Sequence, residues 1–451
     1  MKFIHTADLH LDSPLRGLAA YRDAPAERLR TATRDAFERL VSIALEEAVD
    51  FMVIAGDIYD GDWKDYHTGL FFIRQMGRLN RAGIPVYLLH GNHDAESEMT
   101  KTLQLPDNVQ VFSSRKPESF RIDVLKVALH GQSFRVKATT DNLVPHYPEP
   151  VAGWLNIGVL HTALEGNSQH ASYAPCSVAE LLAKGYQYWA LGHVHEHAIL
   201  PDGKHQPGRS VIAYPGNIQG RHIREPGARG ALLVSAEGNQ ITDIQRLDVD
   251  VLRWARLEVS LAEADDMSTA PRKAAQALEA LLASTPSSLP LAVRVVFSGT
   301  TAADQPLRAE REQLRQEVIA KAIALDPDRL WIEKVQVQTR PLAASAPLQD
   351  EALQGTLAEV PALAQEALHD EIFIRQLIES WRPLLEKLPA EVREASPELD
   401  ELRKAVTTWD DLSSDVSTAP LAKARSLIAD RVQQALPLLM SRLHAQHTTE
   451  H

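Results

Sequence analysis

Cysteine is nearly absent from this chain, with Cys176 alone among 451 residues, so no internal disulfide framework can staple the fold. That usage agrees with a reducing compartment, and a cytoplasmic location is expected. Long apolar runs are missing too: no stretch of about eighteen apolar residues occurs, and no segment is expected to span a membrane. A cleavable leader is not expected either, because Lys2 runs straight into an apolar segment that leads to Asp8. Positive charge is in deficit. The 47 Lys and Arg residues face 60 Asp and Glu for a net charge of −13, and the first 250 residues hold 25 against 30. That balance argues against a strong basic patch of the kind that grips duplex DNA through counterion release.

The composition that remains, 44% hydrophobic and 24% charged, is that of a soluble globular protein too long for one ordinary core, so two or three domains are expected. Its informative part is the first half, where five short blocks each follow an apolar run that reads as a buried strand. Lys2 to Thr6 leads to Asp8-Leu9-His10, and Phe51 to Ala55 leads to Gly56-Asp57-Ile58-Tyr59-Asp60. Val86 to Leu89 leads to Gly91-Asn92-His93-Asp94, Ile157 to Leu160 to His161, and Tyr188 to Leu191 to Gly192-His193-Val194-His195. In an open α/β sheet, loops beyond the carboxyl ends of the strands converge on one crevice. Five such loops can surround two ions.

Asp8, Asp57, Asn92 and the imidazoles of His10, His161, His193 and His195 form a mixed oxygen and nitrogen donor set without thiolate, which suits manganese, iron or zinc. Two divalent ions roughly 3.5–4 Å apart can bridge a hydroxide and clamp the attacking and leaving oxygens of a phosphoryl displacement. Asp57, central in the set, is the expected bridging carboxylate. Gly56 and Gly91 precede candidate ligands where the chain turns sharply after a strand. His93, next to Asn92, is expected on the substrate side as general acid. The remaining histidines, among them His5, His67, His90, His130, His146, His170 and His205, match no block and are expected to be core, hydrogen-bonded or exposed groups. Cys176 lies outside the blocks and is expected to be inert.

After His195, strands are predicted near 211 to 215, 230 to 235 and 241 to 247, all in a second sheet. Between them, Arg209, Arg221, His222 and Arg224 stand in or beside a loop where guanidinium groups could bind phosphate, with Arg221 and His222 the candidate substrate contacts. The alternative is a solvated loop in which Arg221 pairs with Glu225. Helices are predicted over 26 to 49 and about 65 to 81, and short strands between 109 and 132. A composition shift near 250 marks a boundary. Beyond it a β-α-β-α-β order is read, with strands at 252 to 259, 291 to 297 and 330 to 338 and helices at about 270 to 283 and 307 to 323. Pro341 to Pro347 reads as a linker, and the rest is helical by composition, with apolar stripes near 362 to 380 and 420 to 445. The expected domains are therefore 1–250, 251–340 and 341–451.

The motif order D-x-H, G-D-x-x-D, G-N-H-D/E, H and G-H-x-H, complete here over about residues 1 to 250, resembles the calcineurin-like metallophosphoesterases. Within them the opening Met1 to Leu15 is similar to the DNA repair exonuclease branch of SbcD-like nucleases, and Tyr214 to His222 to its YhaO group. The resemblance implies a four-layer αββα sandwich with a small α/β capping domain and a helical C-terminal region. It assigns Asp8, His10, Asp57 and His195 to one metal, Asp57, Asn92, His161 and His193 to the other, and the catalytic histidine position to His93. Asp60 stands where archaeal and eukaryotic relatives of SbcD carry His, and it could orient a catalytic histidine or cap the loop. The resemblance further implies an SbcC-like ATPase partner docking on the C-terminal helices, and a homodimer. The leading expectation is a two-metal DNA nuclease, exonuclease or endonuclease, with manganese the first choice of metal and DNA end processing or repair its setting. The alternatives are a small-substrate phosphodiesterase or phosphatase, and a non-catalytic scaffold subunit of an ATPase complex.

Overall fold

The computed structural model describes residues 1–11, 13, 26–60, 66–96, 104–164, 173–206 and 208–342, with scattered positions and short runs between 363 and 428. The apolar runs at the start of the chain are strands β1 (Lys2–Thr6), β2 (Phe51–Ala55) and β3 (Val86–Leu89), buried on both faces except at Lys2. They pair in parallel, Ile4 beside Met52 and Ile54 beside Leu88, and β4 (Val109–Val111) adds to β3. Helices α1 (Ala26–Glu46) and α2 (Tyr66–Arg81) cover the outer face. Their apolar positions recur at helical spacing, and Phe37, Leu40, Val41, Phe72 and Met76 pack on Ile4, Met52, Ile54 and Leu88.

A second sheet contains β5 (Glu118–Ile122), β6 (Val127–Gly131), β7 (Leu155–His161), β8 (Tyr188–Gly192), β9 (Ala198–Leu200) and β10 (Val211–Tyr214), in the order β5-β6-β7-β8-β10-β9. Phe3, Phe51, Val53 and Tyr87 of the first sheet meet Leu129, Ile157, Val159 and Tyr188 of the second in a shared core. On the far face Leu160 and Trp189 pack with Leu181 of helix α4 (Val178–Ala183), which follows α3 (Asn92–Glu96) in the chain and opens on a Ser177–Glu180 capping box. The expected αββα layering is thus present.

One assignment is corrected. Of the three strands placed in the second sheet from sequence, only β10 lies there. β11 (Gly230–Glu237) and β12 (Gln240–Asp248) return to the first sheet, in the order β12-β11-β1-β2-β3-β4. The physical reason is edge protection: without β11 pairing antiparallel along Lys2 to His5, the strand that leads to Asp8 would expose its backbone.

Beyond 250 the order is β13 (Arg253–Ser260), α5 (Thr269–Ala283), β14 (Leu291–Ser298), α6 (Asp304–Ala309), α7 (Arg311–Leu325) and β16 (Leu330–Val337), and the two-residue strands β15 (Thr300–Thr301) and β17 (Arg340–Pro341) pair with each other. The single helix read over 307 to 323 is two helices, parted at Glu310, whose backbone leaves helical geometry. By compactness the chain divides into residues 1–258 with 274–296 and 318–336, and residues 259–273 with 297–317 and 337–451; both six-stranded sheets lie in the first unit. The C-terminal helices read near 362 to 380 and 420 to 445 fall outside the described residues apart from scattered positions and short runs. Among the described residues no helix is long and apolar enough to cross a membrane.

Candidate metal centre

Parallel pairing brings the carboxyl ends of β1, β2 and β3 to one end of the first sheet and those of β7 and β8 to one end of the second. The chain is stitched across these ends by its own backbone. Asp8 donates its N–H to the Gly56 carbonyl at 3.0 Å, and His10 donates to the Asp57 carbonyl at 3.1 Å. Asp8, His10, Asp57 and His193 all have positive φ, of 51°, 42°, 54° and 95°. Left-handed backbone at residues with side chains costs roughly 1–3 kcal/mol each and persists only where the surroundings enforce it. Gly56 shares this conformation at φ 94°, and a Cβ there would lie 2.6 Å from the His161 ring; one on Gly91 would strike the Asp57 carboxylate. Both turns need glycine.

Two clusters result. Asp57, His161 and His193 offer ligand atoms that all lie within 4.8 Å of one another, and so do Asp8, His10 and His195. In the first, His161 Nδ1 donates to the Ala55 carbonyl at 2.9 Å, which aims Nε2 at Asn92 Oδ1, 3.0 Å away, and at Asp57 Oδ2, 3.3 Å away, so that Nε2 is the nitrogen a cation would use once its proton has left. In the second, His195 Nδ1 meets Glu225 Oε1 at 2.7 Å, and its Nε2 faces His10 Nε2 at 3.2 Å. Asp8 accepts the His193 backbone N–H at 3.1 Å. Two buried carboxylates with imidazole nitrogens turned toward each other form a donor set that fits a pair of divalent cations.

Between the clusters and solvent stands a charged group. Asp60 Oδ1 lies 3.4 Å from His10 Nδ1, 3.5 Å from His93 Nδ1 and 3.7 Å from an Arg221 guanidinium nitrogen. His93 gives its backbone N–H to Asp57 Oδ1 at 3.0 Å, while its side chain is 32% exposed. Arg221 pairs with Glu225 at 3.1 Å and also reaches His195 Nδ1 at 3.2 Å. The pairing expected of a solvated loop is present, but the guanidinium is largely buried beside the clusters. His222 is half-exposed, 4.0 Å from Glu225, and Arg209 is exposed and paired with Asp202.

The electrostatics differ between the clusters. Burial disfavours a charged His161, yet the Asp57 carboxylate overcomes it and lifts the imidazole to about 9. The same pairing holds Asp57 well below the usual carboxylate range against its own burial. His10 is pushed down to about 3, by burial first and then by the Arg221 charge. Burial raises Asp8. Asp60 and Glu225 are both held low against burial by the imidazoles and the guanidinium around them.

All seven candidate ligands are brought together, with His93, Asp60 and Arg221 beside them. Sequence reasoning missed Glu225 as the partner of His195, since the contact spans 30 residues and follows no periodic pattern. It also missed Asp94, whose carboxylate accepts the backbone N–H groups of Ile58 at 2.9 Å, Tyr59 at 3.1 Å and Gly91 at 3.0 Å, clasping two motif loops together. Of the other histidines, His5 is buried on Tyr188 Oη and the Leu191 carbonyl, and His130 lies between Ser119 and Asn156, while His170 and the four beyond residue 250 lie outside the described residues. Cys176 is buried beside Thr162.

Comparison with known proteins gives two family matches: a calcineurin-like phosphoesterase model covers residues 1–197, and a model of the middle domain of metallophosphoesterase YhaO covers 254–340. The chain is 35% identical over 309 residues to YhaO of Bacillus subtilis (strain 168), an uncharacterized metallophosphoesterase, covering 66% of this chain and 72% of that protein. It is 26% identical over 294 residues to the DNA double-strand break repair protein Mre11 of Methanopyrus kandleri, covering 58% of this chain and 59% of the archaeal one, less than two thirds of its length. A crystal structure of a dimetal phosphatase from Danio rerio is similar at a TM-score of 0.32 and 11% identity, over 52% of this chain and 92% of that one. On the match to YhaO and the family model, and with two His and Asp clusters suited to a dinuclear metal centre, the chain belongs to the calcineurin-like metallophosphoesterases, a family of metal-dependent phosphoester hydrolases.

Proposed function

We propose that this protein is a two-metal DNA nuclease that hydrolyses phosphodiester bonds as exonuclease or endonuclease in end processing or repair, acting in the cytoplasm. The observation that carries the chemistry is the meeting of the two clusters with His93 and Asp60 in one crevice. In this reading Asp8, His10, Asp57 and His195 hold one ion, and Asp57, Asn92, His161 and His193 hold the other, manganese being the preferred metal. Asp57 as the shared carboxylate is supported by its charge acting on both His161 and His10. When bound, two divalent ions lower the pKa of water and neutralise charge on the phosphoryl group.

The chain's own groups supply the rest. His93, with its Nδ1 held 3.5 Å from the Asp60 carboxylate and its side chain partly exposed, is the group to give a proton to the departing oxygen as general acid. Arg221, fixed by Glu225 and Asp60, is the group to bind a phosphate oxygen, with the half-exposed His222 next to it. DNA as substrate is supported by the likeness to the archaeal double-strand break repair protein and by the additional segment 254–340, which the reading makes a cap over residues 1–250. An SbcC-like ATPase docking on residues 341–451, and a homodimer, belong to the same proposal.

The test is cleavage of end-labelled linear duplex, single-stranded circle and bis-p-nitrophenyl phosphate by the full chain with manganese, beside Asp57→Ala. DNA degradation that disappears in Asp57→Ala is the expected result, with a loss of about a thousandfold or more. Turnover of the small ester alone, with DNA untouched by the chain both by itself and with an SbcC-like ATPase, would replace this reading with a small-substrate phosphodiesterase. No turnover of any substrate by metal-loaded protein would leave a scaffold subunit.

A further inference from the structure

The net charge of the first 250 residues conceals an uneven distribution. Residues 113–137 carry Arg115, Lys116, Arg121, Lys126, Arg135 and Lys137 against Glu118 and Asp123. The β5–β6 hairpin divides them between its two ends. Antiparallel pairing sets Glu118 beside Gly131 and Ile122 beside Val127, so the turn holding Arg115 and Lys116 lies at the carboxyl end of β6 together with Arg135 and Lys137. Lys126 and Asp123 lie at the far end, and Arg121, near them, stacks over Trp154 at 5.6 Å. Of the two carboxylates in 113–137, Glu118 stands at the β6 carboxyl end and is engaged by the Ser113 backbone N–H.

That end is also the end of the metal crevice. β6 runs parallel to β7, whose last residue is His161. Phe134 sets its ring edge-on to His161 at 5.6 Å and gives its backbone N–H to the His90 carbonyl at 2.9 Å, beside the Gly91-Asn92-His93 block. Ser133 joins the two cationic segments, its N–H on the Ser113 carbonyl at 3.1 Å and its hydroxyl on the Phe112 carbonyl at 2.6 Å. The loop is pinned again where Thr139 Oγ1 donates to the Val136 carbonyl at 2.9 Å and the Thr139 carbonyl accepts from Ala174 at 2.8 Å. Between these anchors Arg135, Val136 and Lys137 are all exposed, as are Arg115 and Lys116. Among the described residues no acidic side chain pairs with Arg115, Lys116 or Arg135.

We propose that Arg115, Lys116, Arg135 and Lys137 form a track for the sugar-phosphate backbone of a DNA strand entering or leaving the metal crevice. The inference rests on the nuclease reading above and adds what that reading lacks, a basic surface in an otherwise acidic chain. Cations on anchored loops beside the site hold successive phosphates, and the exposed Val136 between two of them gives an apolar contact for a sugar. A track of this kind positions the strand without reading its sequence.

The test measures binding of a fluorescent duplex and a fluorescent single strand by anisotropy from 50 to 200 mM salt in EDTA, and cleavage with manganese, on the full chain. The variants are Arg135→Glu/Lys137→Glu, the milder Arg115→Ala/Lys116→Ala/Arg135→Ala/Lys137→Ala, and Lys126→Glu as a far-end control, each checked by thermal melting. The track predicts that both crevice-end variants weaken DNA binding by about tenfold or more and flatten its salt dependence by about one power of salt per contact removed, with Lys126→Glu at the unmodified value. The ratio of DNA turnover to bis-p-nitrophenyl phosphate turnover should fall with them. If the unmodified chain binds and cleaves DNA and the alanine variant matches it in affinity and salt slope, the track is wrong and the nuclease stands. If the unmodified chain neither binds nor cuts DNA, by itself or with an SbcC-like ATPase, both readings fall together.

Discussion

The two clusters of the crevice use similar side chains and are held by different kinds of partner. Around Asp57, His161 and His193 the partners are main chain: His161 is fixed by the Ala55 carbonyl at 2.9 Å, and Asp57 by the His93 N–H at 3.0 Å. In the other cluster Asp8 also accepts a main-chain N–H, from His193 at 3.1 Å, but His195 depends on side chains from a later loop, since it is turned by Glu225, and Glu225 is in turn held by Arg221 and by Asn217 at 3.0 Å. The first cluster is closed, with no member above 8% exposure, whereas the His195 side chain is 20% exposed. A cluster fixed by backbone tolerates surface change, because only loss of a strand can move it. One fixed by a chain of side chains can be tuned or broken by a single substitution several residues away. The inner position is therefore expected to be the constitutive metal site and the rim position the adjustable one.

The sharpest way to separate metal holding from turnover is His93, whose backbone belongs to the inner cluster and whose ring belongs to the rim, 5.2 Å from His10. His93→Ala keeps the N–H that Asp57 accepts, so both ions should remain by elemental analysis. Turnover should fall about 10²–10⁴-fold, the usual worth of a positioned general acid. Retention of full activity in the metal-replete variant would remove His93 from the mechanism, and loss of metal would make it a structural partner of Asp57.

Glu225→Gln should divide the clusters. The amide still reaches His195 and Arg221 but no longer offers the carboxylate that orients the His195 ring through Nδ1. Affinity at the rim position is expected to fall 10–100-fold, with the inner position unchanged. Two binding phases in calorimetric titration with manganese, one weakened and one not, are the expected record. Equal weakening of both would mean that the crevice responds as a unit and that the contrast between backbone and side-chain support has no energetic content.

The same contrast accounts for what could be read from sequence. β1, β2, β3, β7 and β8 were legible because buried strands appear as short apolar runs, and each candidate ligand follows one directly. The inner cluster needs little more than those strand ends. Glu225 was not legible as a partner of His195, nor Asp94 as a clasp, because side-chain contacts across 30 or more residues leave no periodic trace. The sheet membership of β11 and β12 was lost for a related reason: alternation identifies a strand but carries no information on its neighbour. The cationic turn at Arg115 and the loop at Arg135 are unremarkable in a chain of net charge −13 until Ser133 brings them together.

The smallest expected effect is the most direct probe of the difference, because it concerns protons rather than whole side chains. In the metal-free protein His161 holds its proton up to about 9, since the Asp57 charge outweighs burial, whereas His10 is pushed down to about 3 by burial with Arg221 adding to it. At neutral pH a cation entering the inner position must therefore displace a proton from His161, while His10 at the rim has none to give. Metal and proton compete for one nitrogen, so inner affinity should fall about tenfold for each pH unit lost below about 9 and level off above it. Titration at pH 7 in two buffers of different ionisation enthalpy counts the protons released in each phase, and Glu225→Gln identifies which phase is which. About one proton from His161 in the phase that survives Glu225→Gln is the expected outcome. A surviving phase without proton release would mean that Asp57 and His161 do not form a charged pair, and the inner cluster would then owe its order to packing and the Ala55 carbonyl alone.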